Sequence, residues 1–217
     1  MDALLKIAKV SGDQAIEELQ HLRTEWHSTK LYPFVIGTDA EVSQLKEMMD
    51  PPSDGGELVM RQALEFDVEA WLKEKRPKKR AAWPKAGPPP LDGILSLDDA
   101  LTRKRKPEIN IGLVEASSDW QVFARLGYGG WNDCPLPHIH VALHRHWDQK
   151  YKTSILCLSG DVVETLVREP VSEKIEALEL ASEHYSYCYD IVEQGVGTLG
   201  RLASSLLNGR YWYFWWD

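Results

Sequence analysis

Cysteine is scarce in this chain: Cys134, Cys157 and Cys188 make an odd count at wide spacing, with no Cys-x-x-Cys pair. That excludes a disulfide framework and points to a reducing, cytoplasmic setting. Long hydrophobic runs are missing too. No window approaches the roughly 18 to 20 apolar residues of a membrane helix, and the apolar runs of the opening MDALLKIAKV are too short for a signal-peptide core. The expectation is a soluble, intracellular protein without membrane contact. There is no Gly-x-x-x-x-Gly-Lys phosphate loop, and Gly195-x-Gly197-x-x-Gly200 follows a helical pattern instead of a strand, so it is no dinucleotide fingerprint. Nothing in the sequence asks for a cofactor.

Positive charge is in deficit, with 25 Lys and Arg against 33 Asp and Glu and a net charge of -8. Residues 73 to 106 nevertheless hold 11 basic against 4 acidic residues, a local +7 that leaves -15 on the remainder. An acidic surface disfavours nucleic acid and phosphate-rich membranes and suits a basic protein partner, besides aiding solubility. The run KRPKKRAAWPKAGPPP, Lys75 to Pro90, has charge, prolines and no apolar period. It reads as an exposed linker, and without interleaved aromatics it makes no nucleic-acid interface. Three parts follow: an α-rich N-terminal α/β unit over 1–74, a basic Pro-rich linker or long loop over 75–106, and a C-terminal α/β unit over 107–217. A chain of this length buries about 70% of its unfolded surface, so no staple is required.

Apolar spacing predicts helix over 2–26, first through Leu4, Leu5 and Ala8, then through Ile16, Leu19 and Leu22 behind a cap at Ser11 or Asp13. Tyr32 to Ile36 reads as a short buried strand. Helices follow over Asp39 to Met49 and Glu57 to Leu72. Beyond the linker, Ile109 to Val114 reads as a strand, Ser118 to Ala124 as a short helix or turn, and Pro137 to Tyr151 as a helix, because proline suits a first turn. Ser154 to Leu158 and Val162 to Val167 are strands joined by a turn at Gly160. A helix capped by Ser172 is expected to run to Val192, another from Thr198 to Asn208-Gly209, and a last strand from Tyr211 to Trp216. Alternating strands and helices predict a layered α/β fold, with a mixed sheet flanked by helices because the Gly160 connection is too short for a parallel crossover.

Several rare-residue clusters occur in order: GGWNDCP at 129–135, Arg145-x-Trp147 and Tyr151, LSGD at 158–161, YCYDIVEQGVGTL at 187–199, and the closing WYFWWD. Over about residues 107–217 these resemble an uncharacterised bacterial family, the domain of unknown function numbered forty-two fifty-three. The upstream YPFVIGTDAEV also looks like a lead-in that many members carry. The resemblance implies membership and an α/β fold, and it brings no established activity.

The stretch Gly127 to Pro135 gathers backbone freedom, aromatic bulk and reactive groups in nine positions. Trp131, Asn132 and Asp133 offer a stacking face, an amide and a carboxylate for binding, and Asp190 and Gln194 add polar groups further along. A nucleophilic reading uses Cys134, activated by His138 or His140 and oriented by Asp133 or Asp161, with the following helix dipole favouring the thiolate. His140 and His144 lie four apart on one helical face, as two metal ligands would, yet third and fourth ligands are lacking. A polar, partly exposed helix face is the better reading of these histidines, with no metal. Ser159-Gly160-Asp161 reads as a turn, and the terminal aromatics as core. The function expected from these features is non-enzymatic binding of a protein partner, a basic one, with neutralisation of a basic bacterial toxin as the specific form. The alternative is a thiol-dependent hydrolase or transferase using Cys134, His140 and Asp161.

Overall fold

The structure is a computed structural model that describes residues 4–78 and 81–217; Asp2 and Ala3 of the expected first helix, and Lys79 and Arg80 of the basic run, lie outside them. Six strands form one mixed sheet: β1 (Leu5–Ser11), β2 (Leu31–Gly37), β3 (Glu108–Glu115), β4 (Thr153–Leu158), β5 (Val162–Val167) and β6 (Tyr211–Trp215). Their order is β1-β3-β2-β4-β5-β6. Among the described residues only β2 and β4 run parallel; every other neighbour is antiparallel, including the β4–β5 hairpin that turns at Ser159-Gly160-Asp161. Strands from both expected units therefore interleave in a single sheet.

The helices are α1 (Ala15–Thr29), α2 (Asp39–Met48), α3 (Glu57–Glu65), α4 (Val68–Lys75), α5 (Gln121–Leu126), α6 (Pro137–Tyr151), α7 (Lys174–Tyr187) and α8 (Leu199–Leu206). A larger core lies between α2 through α8 and one sheet face, rich in Phe34, Phe123, Trp147, Trp212 and Phe214. A smaller one joins Ala15 and Leu19 of α1 to Val35, Ile111 and Cys157 on the other face. In β2 all residues but the first are buried, as a near-continuous apolar run in a central strand requires.

Three expectations are corrected. Residues 5–11 form β1, an edge strand paired with β3, and the α-helix begins only at Ala15, after a 3-10 turn over Gly12–Gln14. The segment LKIAKVS is too short for a helical stripe to be told from strand alternation, and pairing with β3 decides the matter. The expected helix over 57–72 is two, broken at Phe66-Asp67, where Asp67 accepts a hydrogen bond from the Ala70 amide at 2.9 Å and starts a new helix. The helix expected to reach Val192 stops at Tyr187; Cys188 leaves helical geometry with its thiol on the Trp215 carbonyl at 2.9 Å, and a π-helical turn follows over Ile191–Val196.

The expected linker also packs. Ile94 and Leu97 enter the smaller core, Ser204 of α8 hydrogen-bonds to the Pro88 carbonyl at 3.3 Å, and Lys174 sits 5.1 Å above the Trp83 ring. Glu164 on β5, 1% exposed, holds this strap by accepting from the Leu95 and Ser96 amides at 2.7 and 2.8 Å. Glu164→Ala is expected to leave both amides without a partner and to lower stability by about 3 kcal/mol, measured by urea unfolding.

Candidate functional site

Pro137 at the first turn starts α6, whose inward side carries His140, His144 and Trp147. The preceding loop folds back over that side. Gly130 donates to the Pro135 carbonyl at 2.9 Å and Cys134 to the Trp131 carbonyl at 2.8 Å, with Asn132 left-handed at φ 44°. Gly129, at φ 113°, lies so close that a Cβ would stand 2.2 Å from the Pro135 oxygen and 2.7 Å from the His140 ring. Glycine there is what lets the loop lie flat on the histidine.

Beneath the loop runs a buried hydrogen-bonded chain. Cys134 Sγ is 3.3 Å from His140 Nε2, His140 Nδ1 is 2.6 Å from the Tyr187 hydroxyl, and that hydroxyl is 3.0 Å from His144 Nε2. Phe123 stacks on His140 at 4.9 Å, and Trp147, Phe214 and Trp216 close the rest. The histidine face is therefore interior, contrary to the expected partly exposed one, because aromatic rings from α7 and β6 cover it. Burial pushes His144 down to about 3 and holds His140 well below the usual imidazole range, where a proton on His140 would also repel one on His144. Burial, with Cys188 nearby, raises the Cys134 thiol far above its ordinary value. The helix dipole expected to favour the thiolate is outweighed, since Sγ points inward at His140.

Of the alternative catalytic set, Cys134 and His140 meet. Asp161 instead accepts from the Trp215 indole at 3.2 Å, and its carbonyl takes the Trp216 amide at 3.1 Å. Tyr187 occupies the second nitrogen of His140 that an orienting carboxylate needs. His138 is half-buried with its ring 5.6 Å from Phe66, and Asp133 faces outward. Among the described residues no group of three His, Cys, Asp or Glu side chains is placed to hold a metal ion, and the Tyr187 hydroxyl bridges the two spaced histidines.

The residues expected to bind a partner lie in two segments joined by hydrogen bonds. Asp133 accepts from the Tyr189 hydroxyl at 2.6 Å, which raises the tyrosine to about 12. Asn132 donates to the Asp217 carbonyl at 2.8 Å. Gln194 bridges Asp190 at 3.0 Å and the Asp217 carboxylate at 3.3 Å, and the Asp217 amide lies 3.3 Å from Asp190. Trp131 packs edge-on to Tyr128 at 4.8 Å and leaves part of its ring in solvent. Asp133, Glu193, Gln194 and Asp217 are exposed, while Asp190 is buried at 3%. Tyr187, Tyr189 and Asp217 escaped sequence reasoning as site residues. The dense Tyr-Cys-Tyr-Asp run was the available signal.

Residues 110–217 match the model of a family described as "Domain of unknown function (DUF4253)". No curated protein and no solved structure matches the chain. No helix among the described residues is long and apolar enough to cross a membrane.

Proposed function

We propose that this chain, which through residues 110–217 belongs to the family described as Domain of unknown function (DUF4253), is a non-enzymatic binding protein that engages a basic protein partner through the face built by Trp131, Asn132, Asp133 and Gln194, with the buried Asp190 holding Gln194 from beneath. One observation carries the reading. Two segments about sixty residues apart, together with Asp217, are tied by side-chain hydrogen bonds into one acidic face around a half-exposed tryptophan. A tryptophan ring flanked by carboxylates supplies area and charge for a cationic surface, and Arg or Lys over its face adds a cation–π contribution. The -15 carried outside residues 73–106 acts in the same direction by steering a basic partner. A cytoplasmic setting agrees with three free thiols, and neutralisation of a basic bacterial toxin is the specific form of the proposal.

A second reading, thiol-dependent hydrolysis or transfer, is favoured by the contact between Cys134 and His140. It is opposed by the closed, neutral surroundings of both. Replacing Trp131 by Ala together with Asp133 by Asn is expected to weaken partner capture about 30-fold, with unchanged circular dichroism. Cys134→Ser is expected to leave capture intact. Capture lost in the serine variant and retained in the double variant contradicts the proposal.

A further inference from the structure

A cavity of about 210 Å³ lies beside β6, the outer strand on its side of the sheet. Leu91 of the strap, Ile191 and Val196 of the π-helical turn and Leu206 of α8 make its apolar walls, and His184 and Trp212 also line it. It adjoins the partner face from beneath, since Asp190 lies in its wall and the π-helical turn that walls it also carries Gln194. Turns of this type recur at functional sites because the widened ladder disturbs regular packing.

His184 and Trp212 are each 1% exposed, and His184 Nε2 and Trp212 Nε1 have no hydrogen-bond partner among the described residues. Buried polar groups are paired in the great majority of cases, and one left alone costs about 1 to 3 kcal/mol. Here the two rings that carry them meet edge-on, with centroids 4.5 Å apart at 74°, and both residues line the same cavity. Burial holds His184 well below the usual imidazole range, so the ring is neutral and one of its nitrogens is an acceptor. The indole N–H is a donor only. A hydroxyl suits this pair, because its oxygen accepts from Trp212 while its proton goes to His184.

We propose that this cavity binds a small uncharged molecule of one ring or two fused rings that carries a phenol-type hydroxyl, placed between His184 Nε2 and Trp212 Nε1. The size follows from the volume: an apolar cavity of about 150 Å³ takes benzene, so this one has room for a ring with a short substituent. The lack of charge follows from Asp190 in the wall and the absence of any Lys or Arg from it among the described residues. A carboxylate ligand would be buried beside a carboxylate with no cation to pair it.

The test uses the full-length protein labelled with 15N, titrated with 4-propylphenol, propylbenzene and 4-propylbenzoate while the tryptophan indole resonances are followed. Propylphenol is expected to shift one indole N–H strongly and to bind at least about 10-fold more tightly than propylbenzene, with propylbenzoate weaker still. Trp212→Phe keeps the ring area and removes the donor, so it is expected to weaken propylphenol about 10-fold and leave propylbenzene unchanged. Leu91→Trp fills the cavity from the half-exposed strap, where the fold tolerates change, and is expected to abolish binding of both. Equal affinity for propylphenol and propylbenzene, tighter binding of propylbenzoate, no indole shift at millimolar propylphenol, or undiminished binding by Leu91→Trp overturns the proposal.

Discussion

Lowering the pH from 7 to 5 is expected to remove several kcal/mol of stability, because three histidines are buried neutral in the aromatic core. His140, His144 and His184 are at most 2% exposed, and burial holds all three below their ordinary range, His144 at about 3. Below an unfolded pKa of about 6.5, the unfolded chain takes up a proton at each histidine and the folded chain does not. Stability falls as pH falls, by at most about 1.4 kcal/mol per pH unit per group, or about 6 kcal/mol for three groups at pH 5. Buried carboxyls act in the opposite direction. Asp119, pushed up to about 6 by burial, is protonated first in the folded state, and Glu164 is raised for the same reason. Between pH 6 and 5 Asp119 offsets about 1 kcal/mol, leaving a net loss of at most roughly 5 kcal/mol. That is a large share of the 5 to 15 kcal/mol typical of a domain. Urea midpoints at pH 7, 6 and 5 measure it, and a flat profile contradicts the burial described for these rings.

The thiols give the second large effect. All three cysteines are buried and free, burial raises Cys134 and Cys157 far above the ordinary thiol range, and it pushes Cys188 up to about 12. Since the thiolate is the attacking species, reaction with a disulfide reagent at pH 8 must wait for opening of the fold. Native protein is expected to react about 10⁴-fold more slowly than free cysteine, and protein in denaturant to release three equivalents at once. A single thiol reacting rapidly in the native state, traced to Cys134, would restore the nucleophilic reading.

How far the fold was legible depended on whether the signal was local. Pro137 and the periodic apolar positions after it predicted α6 with its observed ends. The short Gly160 connection correctly required an antiparallel hairpin and hence a mixed sheet. Thr198 stands where α8 was expected to start, its side chain accepting from the Arg201 amide at 3.2 Å. What failed was decided at a distance. The strand Leu5–Ser11 exists because β3 pairs with it, α7 ends because Trp215 takes the Cys188 thiol, and the Pro-rich strap is ordered by Glu164 from sixty-eight and sixty-nine residues away.

The site divides in the same way. Residues chosen for chemical variety, Trp131 through Asp133 and Asp190 with Gln194, are linked through Tyr189 and Asp217, with Asp190 buried beneath the others. The Cys134–His140 contact was readable from a spacing of six across a helix start. The third member was not, because Tyr187 reaches His140 from another helix forty-seven residues on, while Asp161 is drawn to the indole of Trp215. Neither burial of the histidine face nor the unpartnered nitrogens of His184 and Trp212 has any mark in local sequence.

Affinity capture from lysate of the native host, with mass spectrometry and a mixed-label control, tests the binding reading most directly. The account predicts recovery of one basic protein in stoichiometric amount, released by raising the salt concentration because the contact joins opposite charges at a partly exposed face. Recovery of the chain alone, or of a partner equally retained by the Trp131→Ala, Asp133→Asn double variant, would contradict it.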